Sequence, residues 1–192
     1  YKRQFTVNGN TNFSGVISGN IYLNKSGTGA LNLHSAQTYA GPTLITGGSV
    51  TIRDNGTLPD TNQPIEIRYA ALNLGNGNLF DIGNRINDTA PITLIGGQLS
   101  ITGRQQGVSS EVIGAVTLAG GQNVLTTSAG GTGINSLDVT VASLARTDAT
   151  STIRFNAAGL IGSNGRLFFT SAPTLTNNII GPWAIRERAW AS

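Results

Sequence analysis

The 192-residue chain contains no cysteine and no methionine. Without cysteine there is no disulfide, no thiolate metal site and no thiol nucleophile. Histidine occurs once, at His34. Charge is scarce: 12 Lys and Arg against 9 Asp and Glu make up 11% of residues and leave a net charge of +3, where about 25% is usual. The pI of about 9.7 reflects how few groups titrate rather than a basic patch. Basic residues cluster only at Lys2-Arg3 and at Arg186-Glu187-Arg188, so the dense stripe that holds nucleic acid is missing. No basic amphipathic segment suits a membrane surface, and no apolar run approaches the roughly 18 residues of a spanning helix. Helical periodicity is nearly absent. There is no initiating Met and no signal-like segment at Tyr1, so the chain is expected to be an internal piece of a longer polypeptide or a processed product.

What fills these gaps is Gly, Asn, Thr and Ser around regularly spaced apolar residues. Glycine numbers 26, and 39% of residues are hydrophobic, too many for a disordered chain. The apolar residues alternate with polar ones in short runs: Val16-Ile17, Ile21-Tyr22-Leu23, residues 30–33, 44–45, 50–52, 65–67, 71–74, 137–141, 153–155 and 167–169. Period-two alternation bounded by Gly, Asn, Asp and Pro predicts strands.

One phrase recurs. Thr43-Leu44-Ile45-Thr46-Gly47-Gly48-Ser49-Val50-Thr51-Ile52 returns around Gly96-Gly97 and again around Gly120-Gly121. The second glycine advances from 48 to 97 to 121, and the longer step is close to twice the shorter. A period near 24 residues predicts a solenoid of about eight coils, all-β, with like residues stacked in columns. The proline-containing stretch Asp54–Pro64 is expected to be a lateral loop protruding from one coil. Residues 1–176 read as the repeat region. Residues 177–192, which carry Trp183 and Trp190, read as a tail that links to, or closes against, a further block.

Residues 29–52 resemble the autotransporter-associated β-strand repeat, through Gly29, Leu31, Leu33, Ala36, Thr38, Tyr39, Gly41, Thr43, Ile45, Gly47, Gly48, Val50 and Ile52. Ser35, Gln37 and Pro42 depart from its pattern. Asn178-Ile179-Ile180-Gly181-Pro182-Trp183-Ala184-Ile185 is similar to a phrase found between blocks of such repeats. The resemblance implies a right-handed parallel β-helix in a structural or adhesive passenger region, exported to the outer surface of a bacterium. The absence of cysteine fits that destination.

Candidate chemistry is thin. His34 falls on the outward parity of Leu31-Asn32-Leu33-His34 and is expected at the surface. Glu66, Asp88 and Glu111 are 22 and 23 residues apart and would form a carboxylate column if each step were one coil. Gly130-Gly131-Thr132-Gly133-Ile134-Asn135 echoes a Ca²⁺-binding nonapeptide, with Asn135 in place of the ligand Asp and no tandem copy. No enzyme, cofactor or metal is expected. The expected interaction surface comprises Asp54 and Asp60 in the loop and Trp183, Arg186 and Trp190 in the tail, where the aromatic and basic pairs could stack on carbohydrate. Expected partners are further β-helix coils or identical copies end to end, with surface glycans beside them. A carbohydrate-binding or polysaccharide-cleaving β-helix is the alternative, and would need three or more acids in one groove.

Overall fold

The structure, a computed structural model, describes residues 3–76, 80–131, 133, 135–158, 164–175, 177 and 179–186. The described residues form strands, turns and bends with no helix. A seven-stranded sheet contains Arg3–Val7, Ile21–Lys25, Thr43–Ile45, Ile65–Arg68, Ile92–Ile95, Val116–Leu118 and Leu144–Arg146 in that order. An eight-stranded sheet contains Thr11–Phe13, Ala30–Leu33, Ser49–Ile52, Ala71–Gly75, Gln98–Thr102, Gln122–Ser128, Thr152–Ala158 and Ala184–Arg186. A third side is built by Ser18–Gly19 with Thr38–Tyr39, and further on by Val108–Ile113, Ser136–Val141 and Gly165–Phe169. Neighbouring strands are parallel in all these pairings (first and second sheets, third side). The chain therefore visits the same sheets in the same order on each pass, an arrangement consistent with a β-solenoid.

The alternation explains the core. Parallel strands in most folds are covered on both faces and read as unbroken apolar runs. Here they alternate, because one face of each sheet looks inward and the other meets solvent. Inward residues stack: Leu31, Val50, Leu72, Leu99 and Leu125 occupy one column, and Ile45, Ile67, Leu94 and Leu118 another. All nine are at most 3% exposed. At a strand spacing of about 4.8 Å each side chain contacts its equivalents above and below, so burial supplies the stability that disulfides would otherwise add.

The residues of the repeat phrase have separate physical tasks. Tyr39 is fully buried, and its hydroxyl meets Thr43 Oγ1 at 2.5 Å; burial pushes the phenol well above its ordinary range. Gly41 and Gly47 lie where a Cβ would come within 2.6 Å of Ile21 O and 2.8 Å of Gly27 O, so the corners can approach only as glycine. Gln37, a departure from the repeat pattern, accepts from Ile17 N at 2.7 Å and donates to Ser35 O at 2.5 Å, tying two passes together.

Three sequence expectations change. The period is not constant: one pass is 18 residues at Arg3↔Ile21, 22 at Thr43↔Ile65, and 31 at Phe155↔Arg186. The Asp54–Pro64 stretch does not protrude. Thr57 bridges Ala36, Leu58 N donates to Arg85 O, and Gly56, Leu58 and Pro59 are buried, so this stretch runs as the third side of its pass. The third copy of the phrase is also displaced. Ile92 pairs with Val116, 24 residues on, but Leu99 pairs with Leu125, 26 on. The two extra residues break the ladder at the corner, and Asn123 repairs it. Its Oδ1 accepts from Gly97 N at 3.0 Å, while Nδ2 donates to Gly120 O at 3.1 Å and Thr152 O at 3.0 Å.

A proline column was equally unforeseen. Pro42, Pro64 and Pro91 each sit one residue before a buried, inward residue (Thr43, Ile65 and Ile92), and their carbonyls accept from Leu23, Thr43 and Ile65 N. Proline's missing N–H costs nothing at a strand entry.

Candidate functional site

Four places bring polar or aromatic groups together. The first is the corner after the strand Ser49–Ile52. Asp54 takes a left-handed backbone, φ 53°, which Asp tolerates better than most residues. This turns its carboxylate back onto the previous pass, where Oδ2 lies 2.5 Å from His34 Nδ1 and 3.8 Å from Arg53 Nε. His34 is therefore not a free surface imidazole: its other nitrogen, Nε2, is buried without a hydrogen-bond partner. Asp60, farther along, accepts from Asn87 Nδ2 at 2.7 Å. Both expected loop acids thus link one pass to a neighbour.

The second place is a buried polar network with no counterpart in the sequence expectations. Arg85 is 1% exposed. It donates from Nε to Asn76 Oδ1 at 2.6 Å, from Nη1 to Gly56 O at 2.7 Å and from Nη2 to Asp54 O at 3.1 Å. Glu111 occupies an inward position of its strand, between Ser109 and Ile113 by parity, and is also 1% exposed. Its Oε1 accepts from Arg85 N at 3.0 Å and Ile86 N at 3.4 Å. Burial drives its pKa from 4.5 to about 8, against the two N–H donors and the Arg85 charge, with Asp88 adding a smaller upward push. The three pieces joined are the turn at Asp54–Gly56, the loop through Arg85, and Val108–Ile113.

Because the folded chain holds the Glu111 proton more tightly than an unfolded one, the associated stability is complete below about pH 4.5. It is lost as pH rises through about 8. Glu111→Gln keeps an acceptor for both N–H groups and cannot ionise. Its urea midpoint is expected to stay level between pH 4.5 and 8 while that of the natural chain falls; parallel curves for the two proteins would contradict this.

The third place is the far end of the stack. Arg146 takes the inward position above Leu118, and its guanidinium lies over the Trp183 ring, 5.4 Å from the centroid. Trp183 is half-buried and packs against the apolar core, while its carbonyl accepts from Ile153 N at 2.8 Å. Arg186 pairs with Phe155 at the sheet edge and is exposed. Beside it an apolar groove of about 610 Å³ is lined by Leu125, Phe155, Leu167, Phe169, Ile180 and Ala184. Trp190 lies outside the described residues. Trp183 and Arg186 thus share one end of the molecule, with Asp54 and Asp60 elsewhere.

The fourth place is the outward face of the eight-stranded sheet. Asn12, Asn32, Thr51, Asn73, Ser100, Thr126 and Asn156 form one column. Asn32 Nδ2 donates to Asn12 Oδ1 at 2.8 Å, and Asn73 Nδ2 to Thr51 Oγ1 at 3.3 Å.

Other motifs dissolve. Glu66 stacks on Thr93 rather than Asp88, so the carboxylate column does not form. Asn135 Nδ2 donates to Gly130 O, and Asp138 is held by Arg166 Nε and Nη2, each at 2.7 Å, so the glycine-rich turn is closed by its own side chain. Among the described residues no three His, Asp or Glu side chains form a metal-ligating group.

A stretch of 98 residues, 51% of the chain, is 30% identical to the Adhesin BmaC autotransporter of Brucella suis biovar 1 (strain 1330), and covers 3% of that protein's length. No protein-family model matches the chain. No solved structure matches it.

Proposed function

We propose that this chain is a structural and adhesive segment of an exported, autotransporter-like bacterial protein, displayed on the outer cell surface and built of autotransporter-associated repeats. Its strands wind as a right-handed parallel β-helix of about eight coils. The observation that carries this reading is the run of parallel sheets in unbroken chain order, joined to the similarity with an autotransporter adhesin. The segment works as a rigid spacer and a contact surface, not as a catalyst. Further coils, or a second copy, stack on the apolar groove at Phe155 and Phe169, as neighbouring coils of a solenoid stack on one another.

An epitope inserted after the exposed Asn62, in the parent protein of the organism that encodes it, tests the reading. Antibody is expected to label intact cells, and deletion of the segment to lower their attachment severalfold. Labelling only after permeabilisation, or attachment unchanged by the deletion, would contradict it.

A further inference from the structure

The outward face of the eight-stranded sheet has one missing side chain. Arg53, Gly75 and Thr102 follow one another in an outward column next to Thr51, Asn73 and Ser100. Because Gly75 presents only hydrogen, a groove of about 370 Å³ opens there, walled by Arg53 and Asp54 and by the side chains of Thr51, Asn73, Ser100 and Thr102. That volume is at the small end of ligand sites. The strand backbone does not demand this glycine: a Cβ at position 75 would meet nothing nearer than Ile52 O at 3.6 Å.

We infer that this groove binds a neutral polysaccharide chain. The inference deepens the adhesive reading and rests on it. Three hydroxyls and an amide line the groove, groups that both donate and accept, as sugar hydroxyls do. Asn73 spends one N–H on Thr51, which leaves its other N–H and its carbonyl lone pairs for a ligand. The single cation, Arg53, lies 3.8 Å from Asp54, so the walls carry no net charge to attract a polyanion or nucleic acid. The groove is in mid-sheet, where Ala71–Leu74 is paired on both sides and Gly75 pairs with Thr102, so no open edge accepts a peptide strand. The column of Asn32, Thr51, Asn73, Ser100 and Thr126 repeats similar groups about every 4.8 Å, which suits a polymer laid along it.

The test uses the full 192-residue chain in solution, so its result does not depend on surface display. Titration calorimetry with cellohexaose, maltohexaose, mannohexaose and hexa-N-acetylchitohexaose is set against polygalacturonate. At least one neutral hexasaccharide is expected to bind more tightly than the polyanion. Gly75→Val, which fills the groove with a residue suited to strands, is expected to weaken that binding at least tenfold with a melting temperature no lower than the natural chain's. Thr102→Ala and Asn73→Ala are expected to weaken it at least threefold, and are decisive should Gly75→Val fail to fold. Absence of binding by all four sugars, tighter binding of polygalacturonate, or natural affinity in the folded variants would overturn the inference.

Discussion

Arg85→Met is expected to lower unfolding stability by about 3–5 kcal/mol, the range for removing one member of a buried charged network. Methionine restores much of the volume but none of the three side-chain hydrogen bonds. The carbonyls of Gly56 and Asp54 lose their guanidinium donors, and Asn76 Oδ1 keeps only Ile82 N, at 3.1 Å. Glu111 keeps its two backbone donors but loses the nearby positive charge, which makes its ionised form still less favourable. The damage spreads, because this network replaces strand pairing on the third side between Thr38–Tyr39 and Val108–Ile113. A chemical-denaturation midpoint within experimental error of the natural chain's would show that the network is ornamental. The double variant Arg85→Met, Glu111→Gln is expected to recover part of the loss, since the buried acid that lost its neighbouring positive charge is then gone.

Gly48→Ala is expected to be about as severe, by a different route. Gly48 has φ +60°, where an L-residue with a Cβ costs about 1–2 kcal/mol. The added Cβ would also overlap the Gly29 carbonyl oxygen and sit 2.8 Å from Gly27 O. Both are backbone atoms of the preceding pass, so no side chain can move aside, and the corner must open. A loss of at least 3 kcal/mol is expected, as backbone strain adds to overpacking. Gly75→Ala is the matched control, with an ordinary contact at 3.6 Å; equal stability of the two variants would contradict the role given to the corner.

The repeat phrase around Gly48 made the parallel, stacked character legible, because Gly-Gly marks a corner that only glycine fits and the flanking alternation marks the strands. The strands at residues 30–33, 65–67, 71–74 and 137–141 lie inside observed ones, while Val16-Ile17 gave way to Ser18–Gly19. Pass length was not legible, since corners absorb extra residues without disturbing the strands: Asn123 closes a corner two residues longer with its side chain. For the same reason one outward column joins Asn32 to Asn12 across 20 residues and Ser100 to Thr126 across 26. Glu111 carried a usable signal, as its parity with Ser109 and Ile113 points it inward. Arg85 carried none, because its partners come from three distant segments. The groove at Gly75 could not be read before register placed Arg53 and Thr102 on either side of it.

Distances along the Asn32 column test the stacked-pass account most directly. The chain has no native cysteine, so pairs of spin labels can be placed by single Cys substitutions. With one label at Asn32, a second at Ser100, Thr126 or Asn156 lies three, four or five register steps away. Backbone separations of about 14, 19 and 24 Å follow from the strand spacing, and double electron–electron resonance is expected to show the distance growing by about 5 Å per step. Distances that fail to rise in that order would contradict the account.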